Sequence, residues 1–462
     1  MKKIITLLFL ITVVSLARAD IYTPFSSDIY NHLRRLEALG YIKSGQLTTL
    51  PLSIGEIKRL VKEAEDNSKR DRMAREIINR IKKELPSDIL KFEGDMSYSY
   101  VENNDSLLLN KNNNGIDIEK GSNLRLESIF SVNYKNAGFF VSPYFISNER
   151  YEQLSFNEFY GLFNCKKLEI SFGKESQWWG GGQNGSILLS NNAEGLNVFK
   201  ISNSTPIDFI VPFRFTFFIS KLENNRADVK SPYMNGVRFT LKPFQYFEIG
   251  LSKTALYGGK GRKNDLGAFF DSLIGNKEKN TTNNPNNEPG DQRAGFDFKL
   301  IVPNQFQPFT FYIEAIGEDV SKDFPYPYKY AFIYSLYLPK ILTLDKLELL
   351  VEHADTVYRQ KNIWYNHHIF TQGYTYKGDI IGHYMGADAK DWFFKLRYNK
   401  ADGYVLLSYE KLKKTLIDKV YEAYGISINQ DVIDRLSLNL GVLFLEEEKD
   451  KWVISAGLRY SF

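Results

Sequence analysis

The chain has 462 residues, and 59 basic side chains nearly balance 55 acidic ones, for a formal net charge of +4. Charge spread this evenly argues against a nucleic-acid partner, which calls for a concentrated basic surface. A mean hydropathy of −0.33 and a charged fraction of 25% exclude a protein built from several membrane-spanning helices.

The N-terminus has the pattern of a secretory signal peptide. Two lysines precede an apolar stretch from Ile4 to Leu16, and Ala17-Arg18-Ala19 is a small-residue cleavage sequence. The apolar stretch is shorter than the roughly 20 residues of a spanning helix, so a membrane anchor is the weaker interpretation. We therefore expect export, with residues 1–19 removed by cleavage after Ala19.

Residues 20–90 are expected to form three short amphipathic helices. The first has an apolar face around Leu33 and Leu36, and the third is expected over about residues 68–85. Ser53 and Glu56 have the spacing of a capping box at the start of the second. Three such helices can bury one another's apolar stripes, which predicts a small helical bundle.

From Lys91 onward the hydrophobic pattern has a period of two, as in strands with two different faces. Apolar and polar side chains alternate in segments 92–100, 124–134, 392–398, 436–444 and 452–462. The 34 Phe and 29 Tyr suit the aromatic girdles of a membrane barrel. The pattern predicts an all-β transmembrane barrel with lipid outside and a polar lumen, and a soluble β-sandwich is the alternative.

The last strand and the chain length support the barrel. Alternation continues to Phe462, the final residue, and such an ending looks like the assembly signal of outer-membrane barrels. About 370 residues follow the bundle, enough for about 16–18 strands with their turns. The long polar stretches Glu102–Gly121, Lys253–Gln292 and His353–Asp391 are expected to be extracellular loops.

The segment 173–186 is unusual because two adjacent tryptophans lie beside three glycines. Indole faces can stack on sugar rings, and amides can bond sugar hydroxyls. The candidate sugar contacts here are Gln177, Trp178, Trp179, Gln183, Asn191 and Asn192. A structural role, with the tryptophans in an interfacial girdle and the glycines in a turn, is slightly favoured by the residues alone.

A second dense stretch is rich in aromatic residues and histidine. Its candidate sugar contacts are Trp364, Tyr365, Tyr374, Tyr376, His383 and Asp388. Four of the five histidines lie between His353 and His383, but none has a metal-ligand spacing, so we expect no metal. Solvated loop positions and a polar lumen face account for these histidines.

The sequence lacks the motifs of the common catalytic sites. It has no nucleophile elbow, phosphate loop, HExxH motif or zinc-spaced cysteines, and Cys165 cannot form an internal disulfide. We expect no catalytic residue and no cofactor. Scattered Ser, His and Asp side chains could still meet in a barrel wall, which leaves an outer-membrane hydrolase as an alternative.

Several motifs resemble the Wzi family of capsule assembly proteins. The matching segments are 25–42 with 49–53, 177–182 with 189–193, 293–297, 352–355, and 373–378 with 381–388. Three glycines follow the tryptophans where the family pattern has a different middle residue. The resemblance covers nearly the whole mature chain.

The resemblance implies an 18-stranded barrel over residues 91–462 in the Gram-negative outer membrane, with residues 20–90 as a periplasmic plug or docking piece. It implies a lectin-like protein that attaches capsular polysaccharide, or a related exopolysaccharide, to the cell surface. The implied partners are this polysaccharide, outer-membrane lipid and the capsule export machinery. A porin-like export channel is a further alternative.

Overall fold

The computed structural model describes residues 21–25, 27–69, 71–85, 90–103, 106–274, 290–320, 327–359 and 361–461. The signal peptide expected at residues 1–19 and the terminal Phe462 lie outside these ranges. Within them the helices are α1 (Ile29–Ala38), α2 (Ile54–Asn67), α3 (Arg72–Glu84) and α4 (Leu266–Ile274). No helix among the described residues is both long and apolar enough to cross a membrane.

The strands account for most of the chain. They are β1 (Thr49–Leu50), β2 (Leu90–Val101), β3 (Gly121–Tyr134), β4 (Ala137–Asn148), β5 (Glu152–Cys165), β6 (Leu168–Glu175), β7 (Trp178–Trp179), β8 (Leu196–Asn203), β9 (Phe213–Lys221), β10 (Tyr233–Phe244), β11 (Phe247–Tyr257), β12 (Asp291–Val302), β13 (Phe309–Val320), β14 (Pro327–Leu338), β15 (Leu347–Asp355), β16 (Thr375–Tyr376), β17 (Asp379–Ile380), β18 (Ala389–Lys400), β19 (Gly403–Lys414), β20 (Lys419–Ile433), β21 (Leu436–Glu446) and β22 (Lys451–Ser461).

Eighteen of the described strands form one closed antiparallel barrel. Each barrel strand pairs with its neighbour in the chain, and β2 closes the ring by pairing with both β3 and β22. The strand number is at the upper end of the range expected from length. The predicted transmembrane barrel is therefore confirmed.

The N-terminal helices form because capping residues lie at the start of segments that each carry an apolar stripe. The Ser53 hydroxyl accepts a hydrogen bond from the Glu56 amide at 3.2 Å, as the capping-box spacing predicts. Asp71 caps α3 by accepting from the Ala74 amide at 3.0 Å, so this helix begins later than predicted. The apolar stripes of α1, α2 and α3 meet in one buried cluster.

The barrel strands have two faces, as the alternation predicts. Along β15 every second residue is buried, including Glu348, Leu350 and Glu352, which point into the lumen. Outward side chains such as Leu440 and Trp452 are 43% and 50% exposed and form part of an apolar belt around the barrel.

The two ends of the barrel differ in the length of their connections. One end has tight turns, such as residues 135–136 and 401–402, and the other has connections as long as residues 356–388. In outer-membrane barrels the short turns face the periplasm. The helical bundle lies at this end, where the Arg35 side chain donates to the Pro339 carbonyl at 3.1 Å.

Two of the loops are shorter in the structure than the sequence predicts. Lys253–Tyr257 belongs to β11 and His353–Asp355 to β15, and the far ends of the same two predicted loops belong to β12 and β18. These strand ends carry polar side chains toward the lumen, as Glu352 does. A polar lumen face therefore resembles a loop in sequence.

Candidate functional site

The bundle is held to the barrel wall by buried ionic contacts. The Arg238 guanidinium donates to Thr49 Oγ1 at 2.7 Å and to the Thr48 carbonyl at 3.0 Å, while Asp297 pairs with it at 2.7 Å. Glu248 accepts from the Thr48 amide at 3.1 Å. All these side chains are nearly or fully buried. Thr48 and Thr49 at the start of β1 are thus fixed to the wall through both backbone and side-chain groups.

A second contact joins helix α1 to the wall. The Glu37 carboxylate lies 2.9 Å from both Lys242 Nζ and Lys299 Nζ, and all three groups are buried. Lys299 also pairs with Glu248 at 2.5 Å, so the two contacts belong to one network. Alternating charges keep each buried ion paired.

The connection from β6 to β8 folds into the lumen. Its strand β7 pairs with β1 of the bundle, placing Trp179 opposite Thr49 and Trp178 opposite Leu50. Trp179 is 1% exposed and packs edge-on against Phe218, with ring centroids 5.5 Å apart. Both tryptophans therefore lie in the middle of the barrel.

The three glycines after the tryptophans allow this segment to press against the wall. A side chain at Gly181 would bring its Cβ within 2.5 Å of the Tyr312 ring. Gly180 has a φ of +141°, which disfavours other residues. Close approach thus explains glycine at position 181, and the backbone conformation explains it at position 180.

Two lumen carboxylates hold the same segment through its backbone. Glu352 accepts from the amides of Gln183 at 2.8 Å and Asn184 at 3.0 Å, and Glu314 accepts from the Ile187 amide at 3.1 Å. Sequence reasoning missed both roles. The available signal was a glutamate at an inward position of a strand.

The outer loops lie on top of this segment. Tyr365 donates its hydroxyl to the Ile187 carbonyl at 2.8 Å, and the Ser190 amide donates to Ile381 at 3.0 Å. The Asn114 amide donates to the Asn191 carbonyl at 2.8 Å. Residues from the connections 102–120, 176–195 and 356–388 share one buried core with the wall. Bundle and loops together form a plug through the lumen.

The structure brings the two candidate sugar-binding stretches together inside this plug. Gln177, Trp178, Trp179, Asn192, Trp364, Tyr365, Tyr374, Tyr376, His383 and Asp388 are buried, whereas Gln183 and Asn191 are partly exposed. The Tyr374 ring, for example, is covered by the Arg293 guanidinium at 4.2 Å. Sugar contact by the buried residues stays a prediction and requires the loops to part.

His383 is not a solvated loop histidine, contrary to our expectation. It is fully buried beside Gly185, and its Nδ1 accepts from the Met385 amide at 3.3 Å. Burial, with the nearby charges of Lys111 and Lys414, lowers the pKa of His383 to about 3. This imidazole is therefore neutral at physiological pH.

One group of metal-ligating side chains escaped sequence reasoning. Asp28, His32 and Glu84 place ligand atoms within 4.8 Å of one another at the short-turn end of the barrel. Arg397 already occupies both oxygens of Asp28, with one contact at 2.7 Å. Burial, together with Arg397 and Arg80, lowers the pKa of His32 to about 4. We assign the cluster to anchoring α1, since guanidinium charge lies where a cation would bind.

The outer surface of the plug carries a polar patch, which we call the mouth patch. It comprises Asn112, Asn113, Asn114, Asp117, Asn191, Glu194, Lys377 and Asp379. Lys377 pairs with Glu194 at 2.5 Å, and Asn191 donates its side-chain amide to the Asn112 carbonyl at 3.0 Å. Amides and carboxylates of this kind bond sugar hydroxyls.

Asp379 gives the mouth patch a pH response. Burial and the charges of Asp117 and Glu194 raise the pKa of Asp379 to about 6. The fold favours the protonated carboxyl of Asp379. This group therefore leaves the free energy of unfolding unchanged below about pH 4 and lowers it as the pH rises through 6. We expect Asp379→Asn to equal the wild type near pH 4 and to gain about 1 kcal/mol at pH 8, allowing for partial exposure.

Hydrogen exchange of the β16–β17 hairpin at the two pH values measures this difference. Asp418→Asn, on an exposed turn, is the control, because its carboxylate is not buried among other acids. Equal protection of wild type and Asp379→Asn at pH 8 would contradict the prediction.

Comparisons with known proteins give a family match and a curated relative. A family model described as capsule assembly protein Wzi matches residues 103–446. An uncharacterized 55.8 kDa protein in the cps region of Klebsiella pneumoniae is 27% identical over 314 residues, which cover 65% of this chain and 58% of that protein. The chain thus spans somewhat over half the length of this curated relative.

A solved structure shares the fold. It is Wzi from Escherichia coli, described as an outer-membrane protein involved in group 1 capsule assembly and as a carbohydrate-binding β-barrel. The match has a TM-score of 0.80 at 21% identity and covers 97% of this chain and 100% of that one.

Proposed function

The chain belongs to the Wzi family of capsule assembly proteins, and from this membership we propose that it holds capsular polysaccharide, or a related exopolysaccharide, at the cell surface. It does so as a lectin-like barrel in the outer membrane and catalyses no reaction. The carbohydrate binding described for the Escherichia coli protein of the same fold supports this proposal.

The mouth patch is the surface that best suits a polysaccharide. Its asparagines and acids lie at the outer end of the plug, where they are partly exposed. The side-chain oxygens of Asn112, Asn113 and Asn114 are buried and have no hydrogen-bond partner among the described residues. A sugar that displaces the surface of this loop on binding would satisfy them with its hydroxyls. Many weak contacts along a repeating polymer add up to firm attachment.

The plug favours attachment over a porin-like channel. Glu314 and Glu352, which would line an open lumen, instead hold the backbone of the connection 176–195. The same bonds speak against the hydrolase alternative, because these carboxylates are engaged by amides. We propose outer-membrane lipid as the partner of the apolar belt, and the capsule export machinery as a partner of the bundle, whose α3 exposes Arg72, Arg75 and Lys82.

A paired substitution in the mouth patch tests the proposal. Asn114→Gly keeps the positive φ of this residue while removing its amide, and Asp379→Ala removes the carboxylate. We expect the double variant to bind purified surface polysaccharide about tenfold more weakly, since two hydrogen bonds are worth about 1–2 kcal/mol. Glycan-binding titration of the purified protein measures this.

The matched control is Asp418→Gly with Asp450→Ala, on exposed turns at the same end of the barrel. Cells with the mouth-patch variant should make the polymer and shed it into the medium. Equal binding by both variants would remove the mouth patch from the site. Loss of all external polymer would indicate a secretion component instead.

A further inference from the structure

Among the described residues, the plug leaves one part of the periplasmic end open. A cavity of about 320 Å³ lies between the bundle and the wall formed by β19 to β22 and β2. Its lining includes Phe25, Tyr404, Asn429, Ser437, Asn439 and Arg459. We call it the vestibule.

The exposure of the wall shows how far the vestibule reaches. On β21 the inward residues Ser437, Asn439 and Gly441 are half-buried, whereas Leu445 is fully buried. On β22 the change from half-buried to buried inward residues lies between Ser455 and Val453. An apolar layer that includes Val101, Leu108, Leu109, Leu445 and Val453 closes the outer side. The vestibule therefore opens toward the periplasm and ends inside the barrel.

The charges around the vestibule are balanced. Asp28, Glu84, Glu93 and Asp431 face Arg80, Lys83, Arg435 and Arg459. Several are paired across the cavity or beside it, as in Lys83 with Asp431 at 3.4 Å and Arg459 with Asp95 at 3.1 Å. A strongly charged ligand gains little here, because ion pairs already use the charges. Hydroxyl and amide groups therefore determine which ligands the vestibule can bind.

We propose that the vestibule binds a short carbohydrate segment from the periplasmic side. Ser437, Asn429 and Asn439 offer hydroxyl and amide groups on adjacent strands, and Tyr404 and Phe25 add aromatic surface. A volume near 300 Å³ is at the lower end of small-molecule sites, so it accommodates one or two sugar rings. The inference rests on the proposed function only in taking the ligand to be a glycan.

Cysteine labelling tests the vestibule directly. Ser437→Cys in a Cys165→Ser background places the one thiol of the chain in the vestibule. We expect a water-soluble maleimide to modify it readily in the purified protein. Ser202→Cys in the same background is the matched control, because Ser202 is 4% exposed beneath Glu169 and should react at least tenfold more slowly. Equal slow reaction of both thiols would overturn the open vestibule.

Sugar binding is then read as protection of the Ser437→Cys thiol. The probes are oligosaccharides of two to four residues, released from the surface polysaccharide of the source cells, and the repeating disaccharide of peptidoglycan. We expect at least fivefold slower labelling with one of them. Protection by either supports a carbohydrate site and identifies the source of the glycan. No protection by either at millimolar concentration would overturn the proposal.

The two proposals fail in different ways. Adding Asn114→Gly and Asp379→Ala to the Ser437→Cys protein disables the mouth patch and leaves the vestibule unchanged. Protection retained in this protein shows that the vestibule binds sugar by itself. Protection lost with the mouth patch would place the sugar outside the vestibule and overturn the inference. Unchanged whole-polymer binding in this protein, with protection retained, would count against the mouth patch alone.

Discussion

Trp179→Ala is expected to lower the free energy of unfolding by about 3–5 kcal/mol, which is the usual cost of removing a large buried aromatic side chain. Trp179 is 1% exposed, packs on Phe218 and belongs to the β1–β7 pairing between bundle and plug. A cavity at this point also loosens the connection 176–195. Denaturant unfolding and protease cleavage of the bundle in the folded barrel measure the two effects.

The same variant separates a structural role from sugar stacking. If Trp179 only stacked on sugar, alanine would abolish polysaccharide binding and leave stability unchanged. The control is Trp452→Ala, which removes an equally large ring that is 50% exposed on the outer face of the barrel. We expect it to leave the bundle as resistant to protease as in the wild type. Unchanged stability in Trp179→Ala would contradict the buried position.

The features that local sequence determines were predictable. Alternation with a period of two follows from the strand geometry, so segments such as 436–444 could be recognised without neighbours. Ser53 and Glu56 cap α2 through a contact three residues apart, which sequence displays directly. Chain length then limits the strand number, because each spanning strand needs about ten residues.

The direction in which the long connections fold was not predictable. The pairing of Thr49 with Trp179 joins residues far apart in sequence, and no local pattern distinguishes a loop that enters the lumen from one that leaves it. From sequence, tryptophans beside glycines suit a sugar platform or an interfacial girdle with a turn, and the packed plug that the structure shows was not among the interpretations. Their burial depends on the wall around them, which only the closed barrel supplies.

The roles of charged residues could not be predicted either, because they too depend on neighbours that are distant in sequence. Glu352 reads as a polar residue near a loop, yet it holds two amides in mid-lumen. Asp379 and Asp117 are widely separated in the chain, and the effect of Asp117 on the pKa of Asp379 appears only when the loops meet. Asp28 lies four residues before His32 at the start of α1, a spacing that sequence displays, but Glu84 belongs to α3 and its approach could not be inferred from spacing.

Arg238→Met is expected to cost about 3–5 kcal/mol, because it leaves Asp297 as an unpaired charge in a buried site. Arg238 and Asp297 are 2% and 1% exposed, and Arg238 also bonds Thr48 and Thr49 of the bundle. The bundle should therefore become sensitive to protease while the barrel stays closed. Denaturant unfolding with limited proteolysis measures the loss.

The double variant Arg238→Met with Asp297→Leu distinguishes charge burial from loss of the bundle contacts. Removing both ions leaves no unpaired charge, so stability should recover by at least about 2 kcal/mol relative to Arg238→Met. Protease sensitivity of the bundle should persist, because Thr48 and Thr49 still lack their donor. Full recovery of both properties would mean that Glu37 and the β1–β7 pairing hold the bundle without help from Arg238.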